Sequence, residues 1–122
     1  MTRRILLVED NPQNRYLMTF VLESHGYTVD VAENGAEALR MLAERVPDLI
    51  LMDMQLPIVD GYEATRRIKA DERTRQVPLV ALTAHSMKGD RTKAIDAGCD
   101  AYVTKPVVAD EIIAVIERLT ST

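Results

Sequence analysis

The chain has 122 residues, of which 47% are hydrophobic, and a formal net charge of −4. This length allows one domain with a hydrophobic core of its own and is too short for two. The acidic balance argues against nucleic acid as a partner, because binding it requires a basic surface. A single cysteine excludes an internal disulfide, and residues 5–8 form too short an apolar run for a signal peptide or a membrane span. We therefore expect a soluble cytoplasmic protein that forms one domain over residues 1–122.

Five short apolar segments are typical of β-strands. They comprise residues 5–8, 27–32, 49–52, 78–83 and 101–104. The first, third and fourth are almost continuously apolar, as in strands that are buried on both faces of a parallel sheet. The second alternates apolar with polar residues, which favours a position at the edge of the sheet.

The segment after the first strand is predicted to be a helix. Asn11 is a typical N-cap residue, and Pro12 suits the first helical position. Leu17, Phe20 and Val21 then share one face of this helix, and Gly26 ends it.

Helix signals also follow each of the other strands. Asn34 with Glu37 and Asp60 with Glu63 resemble capping boxes, and Gly98 is typical of the end of a helix. The last helix shows the clearest apolar spacing, at Ile112, Val115, Ile116 and Leu119. Strand and helix therefore alternate five times, which predicts right-handed βαβ units and a parallel sheet.

Polar residues follow the predicted strands at the points where they end. The sequence has Glu9 and Asp10 after the first strand, Asp53 after the third, Thr83 at the end of the fourth and Lys105 after the fifth. In a parallel sheet these ends lie at one edge, which is where α/β folds bind their ligands. The topology thus predicts a cluster of three carboxylates, one hydroxyl and one ammonium group.

Three carboxylates in one place would repel each other unless cations lie among them. Lys105 supplies one positive charge, and Mg²⁺ suits the remaining carboxylate and carbonyl ligands because it prefers oxygen. A carboxylate such as Asp53 beside a lysine and Mg²⁺ can act as a nucleophile toward phosphorus. The residues therefore indicate phosphoryl-group chemistry.

Four motifs in this order resemble those of the receiver domain of bacterial two-component response regulators. They are VEDN (8–11), LMDMQLP (51–57) with Asp60-Gly61, ALTA (81–84) and Lys105-Pro106. The resemblance extends from residue 4 to about residue 120. It implies a flavodoxin-like α/β fold, a three-layer (βα)5 sandwich with a five-stranded parallel sheet of order 2-1-3-4-5.

The resemblance also implies the roles of the site residues. Asp53 would accept a phosphoryl group from a phosphohistidine. Asp10, Asp53, the backbone carbonyl of Gln55 and, directly or through water, Glu9 would bind Mg²⁺. Lys105 would pair with Asp53 and then with the phosphoryl group, and the peptide bond before Pro106 would be cis.

Other residues near the acceptor are expected to sense its state. Thr83 would turn its hydroxyl toward the phosphoryl group, and the Tyr102 ring would move inward as Thr83 moves. Ala84 would leave room for the phosphate, while Gln55 and His85 would border it and influence its lifetime. Ordinary packing is the alternative for Thr83 and for Tyr102.

We expect a phosphoacceptor protein rather than an enzyme, able to phosphorylate itself from small donors and to lose the phosphate slowly. Its partners would be a histidine kinase or a histidine phosphotransfer protein and a downstream protein effector. The surface that reports phosphorylation would be the fourth helix, fifth strand and fifth helix, about residues 85–119. The poor apolar periodicity of residues 85–97 favours a loosely held helix there. We expect a monomer, with dimerisation on phosphorylation as a further possibility.

Two other functions remain open from the sequence. One is a Mg²⁺-dependent phosphohydrolase with an aspartyl-phosphate intermediate, although Gln55 occupies the position where such enzymes of the haloacid dehalogenase type carry a second aspartate. The other is a pseudo-receiver, a scaffold with the same fold that works without phosphorylation.

Overall fold

A computed structural model of the chain describes residues 2–56, 59–84 and 88–120, with only the backbone described at residues 88–91. Strands and helices alternate along it, as predicted. The strands are β1 (Arg4–Val8), β2 (Thr28–Ala32), β3 (Leu49–Asp53), β4 (Leu79–Thr83) and β5 (Ala101–Thr104). The helices are α1 (Pro12–Ser24), α2 (Gly35–Glu44), α3 (Gly61–Ala70), α4 (Lys88–Ala97) and α5 (Ala109–Thr120). No helix in the described part of the chain is long and apolar enough to cross a membrane.

The five strands form one parallel sheet in the order β2-β1-β3-β4-β5. This is the flavodoxin-like topology that the family resemblance implied, and β2 occupies an edge as its alternating pattern indicated. Val8 pairs with Met52, Asp53 with Leu82, and Thr83 with Thr104. The carboxyl ends of β1, β3, β4 and β5 therefore lie along one edge of the sheet.

Apolar side chains cover both faces of the sheet, because successive residues of a strand point to opposite faces. Ile5 and Leu7 of β1 belong to a core cluster with buried residues of α1 and α5. Leu6 and Val8 belong to a second cluster with buried residues of α2, α3 and α4. The fold is thus a sandwich of three layers, with the sheet in the middle.

Side-chain caps begin three of the helices at the predicted residues. Asn11, Asn34 and Asp60 each accept a hydrogen bond from the backbone N–H three residues later, at 2.8 to 3.0 Å. Gly98 follows α4 with φ +110°, a conformation that suits glycine after a helix end.

The apolar face that the spacing of Leu17, Phe20 and Val21 marks on α1 is not the face that the fold buries. Leu17 and Phe20 are 60% and 65% exposed, whereas Met18 and Leu22 are buried and Val21 is partly buried. Residues 16–22 contain six apolar or aromatic side chains all around the helix. Their spacing could not select a face, and the sheet buries the face that carries Met18 and Leu22.

Helix α4 has the weakest separation of polar from apolar residues among the described helices, as expected. Within its described side chains, the buried ones are the small Ala94 and Ala97, and Ile95 is 53% exposed. The predicted start of this helix, at residues 85–87, lies outside the described residues.

Candidate functional site

Three carboxylates meet where β1 and β3 end. Glu9 directly follows β1, Asp10 comes next, and Asp53 is the last residue of β3. One oxygen from each carboxylate lies within 4.8 Å of the others. Glu9 and Asp53 are each only 2% exposed, whereas Asp10 is exposed. The register of the parallel strands thus brings together the acids that the sequence placed at the strand ends.

Lys105 lies among these carboxylates. Its Nζ is 3.1 Å from Asp53 Oδ2 and 3.2 Å from Glu9 Oε1. The Lys105–Pro106 peptide bond is cis, as the family resemblance implied. The lysine is the charged partner that two buried carboxylates need, since a buried charge without a partner is costly.

The environment of the cluster shifts the pKa values of Glu9 and Lys105. Burial, followed by a hydrogen bond to Asp53 and by its negative charge, raises the pKa of Glu9 from 4.5 to about 7. Burial lowers the pKa of Lys105, but the charges and hydrogen bonds of Asp53 and Glu9 outweigh burial and raise it. The site therefore holds more negative charge than one lysine neutralises, and a further cation would stabilise it.

Backbone amides fix two of the three carboxylates. The Gln55 N–H donates to Asp53 Oδ1 at 2.9 Å, and the Asn11 N–H donates to Glu9 Oε2 at 3.2 Å. The Asp10 carboxylate forms no hydrogen bond or ion pair within the described residues. It is therefore the acid most available to a ligand from solvent.

Two residues of the site were not assigned a role from the sequence. The Arg15 guanidinium donates to the backbone carbonyls of Glu9 and Asp10. At Gly61 an added Cβ would lie 2.3 Å from the Asp53 carbonyl oxygen, so only glycine fits against the end of β3. The motif Asp60-Gly61 pointed to this glycine, but no spacing rule indicated the direction of the Arg15 side chain.

The structure describes four of the five residues that were expected to sense phosphorylation or to border the phosphoryl group. Thr83 is buried at the end of β4, and its carbonyl accepts the Lys105 N–H at 2.7 Å. Tyr102 on β5 is partly buried and packs against the core cluster under α2, α3 and α4. Ala84 and Gln55 are exposed, and His85 lies outside the described residues.

The donor set fits a hard divalent cation. Three carboxylates offer oxygen ligands within reach of one another, which is what Mg²⁺ prefers. An open groove of about 440 Å³ adjoins the site. It is lined by Glu9, Asn14, Leu17, Met18, Leu82, Lys105, Pro106 and Val107.

Residues 5–117 match the family model of the response regulator receiver domain, and the chain belongs to this family. It therefore belongs to a class of proteins that signal by phosphorylation in two-component systems. The fold and the carboxylate cluster with its lysine agree with that assignment.

Similar proteins include response regulators and the receiver domain of a sensor histidine kinase. The polar-differentiation response regulator DivK of Brucella ovis is 43% identical over 117 residues, covering 96% of this chain and 95% of the relative. The receiver domain of sensor histidine kinase PA1611 from Pseudomonas aeruginosa is 41% identical, covers 100% of both chains and has a TM-score of 0.93. That structure has a magnesium ion coordinated in its active-site cleft. A putative response regulator from Chloroflexus aurantiacus is 27% identical over 100% of both chains, with a TM-score of 0.96.

Proposed function

We propose that this protein is a phosphorylation-activated switch and that Asp53 is its phosphoacceptor. The observation that carries the proposal is the position of Asp53. Its carboxylate ends the central strand β3, is 2% exposed, and lies 3.1 Å from the Lys105 ammonium and close to two further acids. A passive scaffold has no need for such a costly concentration of charge.

In the proposed reaction, an Asp53 oxygen attacks the phosphorus of a phosphohistidine on a histidine kinase or a histidine phosphotransfer protein. The P–O bond to Asp53 forms as the P–N bond breaks, and the imidazole leaves with the electron pair and takes up a proton. Lys105 lies where its ammonium can pair with a phosphoryl oxygen once the Asp53 carboxylate has become an acyl phosphate. The open groove beside Leu17 is lined by Glu9 and Lys105, the two residues next to Asp53, and a protein donor would approach the site there.

Asp10, Asp53, the Gln55 carbonyl and, directly or through water, Glu9 would hold Mg²⁺. When bound, this cation neutralises charge on the phosphoryl oxygens during transfer. The three carboxylates and the magnesium ion in the related Pseudomonas aeruginosa structure support this part of the proposal.

We also propose that Thr83 and Tyr102 are the residues that respond to phosphorylation. The Thr83 hydroxyl moves toward the phosphoryl group and Tyr102 moves inward, while Ala84 leaves space and Gln55 and His85 influence the lifetime of the phosphate. Thr83 ends β4, and Tyr102 lies on the neighbouring strand β5, where it pairs with Ala81, two residues before Thr83. This proximity supports the link. Such a switch biases an existing equilibrium between two conformations.

The output surface is the face of α4, β5 and α5, where a downstream protein would bind. A groove on this face is lined by Ile95, Cys99, Asp100, Ala101, Tyr102, Val115 and Arg118. The weak packing of α4 supports its role as the moving part. We further infer that residues 1–122 act as one receiver domain, cytoplasmic and monomeric before phosphorylation.

Intact-mass spectrometry after incubation with acetyl phosphate tests the proposal. The wild type should gain the mass of one phosphoryl group only when Mg²⁺ is present. Asp53→Asn should gain nothing, whereas the control Asp96→Asn, on the exposed side of α4, should behave as the wild type. Modification of Asp53→Asn to the same extent would contradict the proposal.

A pair of variants at position 83 tests the switch separately. Thr83→Ser keeps the hydroxyl, and Thr83→Val keeps the branched shape without it. Both should be phosphorylated, but the change in the NMR signals of the Tyr102 ring on phosphorylation should be lost only in Thr83→Val. An equal change in both variants would exclude the Thr83 hydroxyl from the switch.

A further inference from the structure

Arg15 of α1 contacts the loop that carries two of the three acids. Its Nη1 donates to the Glu9 carbonyl at 3.1 Å and to the Asp10 carbonyl at 2.9 Å. Its Nη2 lies 3.5 Å from Glu33 Oε1, and its side chain is only 20% exposed. One guanidinium thus connects the first helix, the loop after β1 and the loop after β2.

The two carbonyls belong to the peptide groups on either side of the Asp10 Cα atom. The backbone angles φ and ψ of Asp10 are the rotations between these two planar groups. A side chain that holds both carbonyls therefore fixes the direction in which the Asp10 side chain leaves the backbone. Hydrogen bonds from a charged donor are among the stronger ones in proteins.

Asp10 depends on this support more than its neighbours do. Asp53 is held by Lys105 and by the Gln55 N–H, and Glu9 is held by Lys105 and the Asn11 N–H. Within the described residues no such contact reaches the exposed Asp10 carboxylate. As far as the described residues show, its position is set by the backbone alone.

We propose that Arg15 is a positioning residue for the cation site, holding the backbone so that the Asp10 carboxylate lies near Glu9 and Asp53 before a divalent cation binds. This inference rests on the proposed function, since it presupposes the metal site of that function. It assigns Arg15 no contact with the cation or with phosphate.

Because Arg15 is charged, the direction in which the Mg²⁺ affinity changes on its substitution tests the inference. A guanidinium near a cation site repels the cation, so a purely electrostatic role predicts tighter Mg²⁺ binding when Arg15 is neutralised. A positioning role predicts weaker binding, because the loop must then be ordered when the cation binds. The two explanations give opposite results for the same variant.

The experiment measures the Mg²⁺ dissociation constant of the full chain by calorimetry and by titration of its backbone amide NMR signals. The chain has no tryptophan whose fluorescence could report the cation. Arg15→Met should bind Mg²⁺ about tenfold more weakly than the wild type, as is typical when a group that orients a metal ligand is removed. Arg15→Lys, which keeps the charge and can reach one carbonyl, should lose less.

Glu33→Gln is the matched control, because it breaks the ion pair of Arg15 and leaves both carbonyl bonds in place. It should bind Mg²⁺ as the wild type does. The free energy of unfolding without Mg²⁺ is measured in parallel, since a merely structural role would lower it and leave the dissociation constant unchanged. Arg15→Gln, the second neutral variant, must show the same loss of Mg²⁺ affinity. It replaces Arg15→Met in the comparison if Arg15→Met does not fold.

Binding of Mg²⁺ by Arg15→Met and Arg15→Gln as tight as that of the wild type, or tighter, would overturn this inference alone. If the wild type itself bound no Mg²⁺, the proposed function would fail together with it. The two failures are therefore distinguishable.

Discussion

Lys105 reaches across the end of β4 to Asp53. The two residues follow or end strands that are not neighbours in the sheet, since β4 lies between β3 and β5. The Lys105 N–H donates to the Thr83 carbonyl of β4 at 2.7 Å, and its Nζ lies 3.1 Å from Asp53 Oδ2. The backbone of the lysine is thus fixed to the strand that carries Thr83 while its side chain neutralises the acceptor.

Lys105→Met should destabilise the protein in the absence of Mg²⁺, because Asp53 and Glu9 lose their charged partner. We expect the free energy of unfolding to fall by about 2 kcal/mol, as is typical for hydrogen bonds to charged groups. Urea denaturation measures it, with Lys105→Arg as the control that keeps the charge and should lose less. Equal stability of Lys105→Met and the wild type would show that the lysine does not stabilise these carboxylates.

Glu9 should make the stability of the protein without Mg²⁺ decrease with pH. The folded state keeps the Glu9 proton up to about pH 7, whereas the ordinary pKa of the group is 4.5. In this interval the folded state binds more protons than the unfolded state, so the free energy of unfolding falls as the pH rises. This contribution to stability is complete below the unfolded pKa and is lost as the pH rises through the folded one. Chemical denaturation across this range measures the slope.

The same proton competes with Mg²⁺ for the Glu9 carboxylate. Mg²⁺ affinity should therefore increase as the pH rises toward 7 and beyond. Glu9→Gln should flatten the stability profile between the two pKa values. A wild-type profile as flat as that of Glu9→Gln would contradict the raised pKa.

Gly61→Ala should disturb the acceptor as well as the fold. Its Cβ would lie 2.3 Å from the Asp53 carbonyl oxygen and 2.5 Å from the Met54 Cα, so β3 or α3 must shift. We expect a loss of about 2 kcal/mol in the free energy of unfolding and slower phosphorylation by acetyl phosphate. Gly26→Ala is the control, because its φ of +89° makes alanine unfavourable but no atom lies within 4 Å. Gly26→Ala should lose stability but be phosphorylated at the wild-type rate. Equal phosphorylation rates in Gly26→Ala and Gly61→Ala would show that Gly61 does not affect Asp53.

The two faces of α1 should respond differently to the same substitution. Leu22→Ala removes a fully buried side chain and should cost about 3 kcal/mol of unfolding free energy. Leu17→Ala removes one that is 60% exposed and should change it by less than about 0.5 kcal/mol. Urea denaturation of both variants measures the difference. A larger loss of unfolding free energy for Leu17→Ala would contradict the orientation in which α1 buries Leu22 and exposes Leu17.

This helix also marks the limit of prediction from the sequence. The parallel sheet and the cluster of Glu9, Asp53 and Lys105 followed from alternating strands and helices, because parallel strands bring their carboxyl ends to one edge. The strand order followed only from the resemblance to receiver domains. The buried face of α1 did not follow, since apolar residues surround the helix. The contacts of Arg15 did not follow either, because the conformation of a long side chain depends on the loops around it.

Reduction of the phosphorylated protein with borohydride tests the central claim most directly. Borohydride converts an aspartyl phosphate to homoserine, and peptide mass spectrometry then identifies the residue that carried the phosphate. After treatment with acetyl phosphate and Mg²⁺, homoserine should be found at position 53, and omission of Mg²⁺ should abolish it. Homoserine at another aspartate, or its absence from a protein that has gained phosphate, would contradict the assignment of Asp53 as the acceptor.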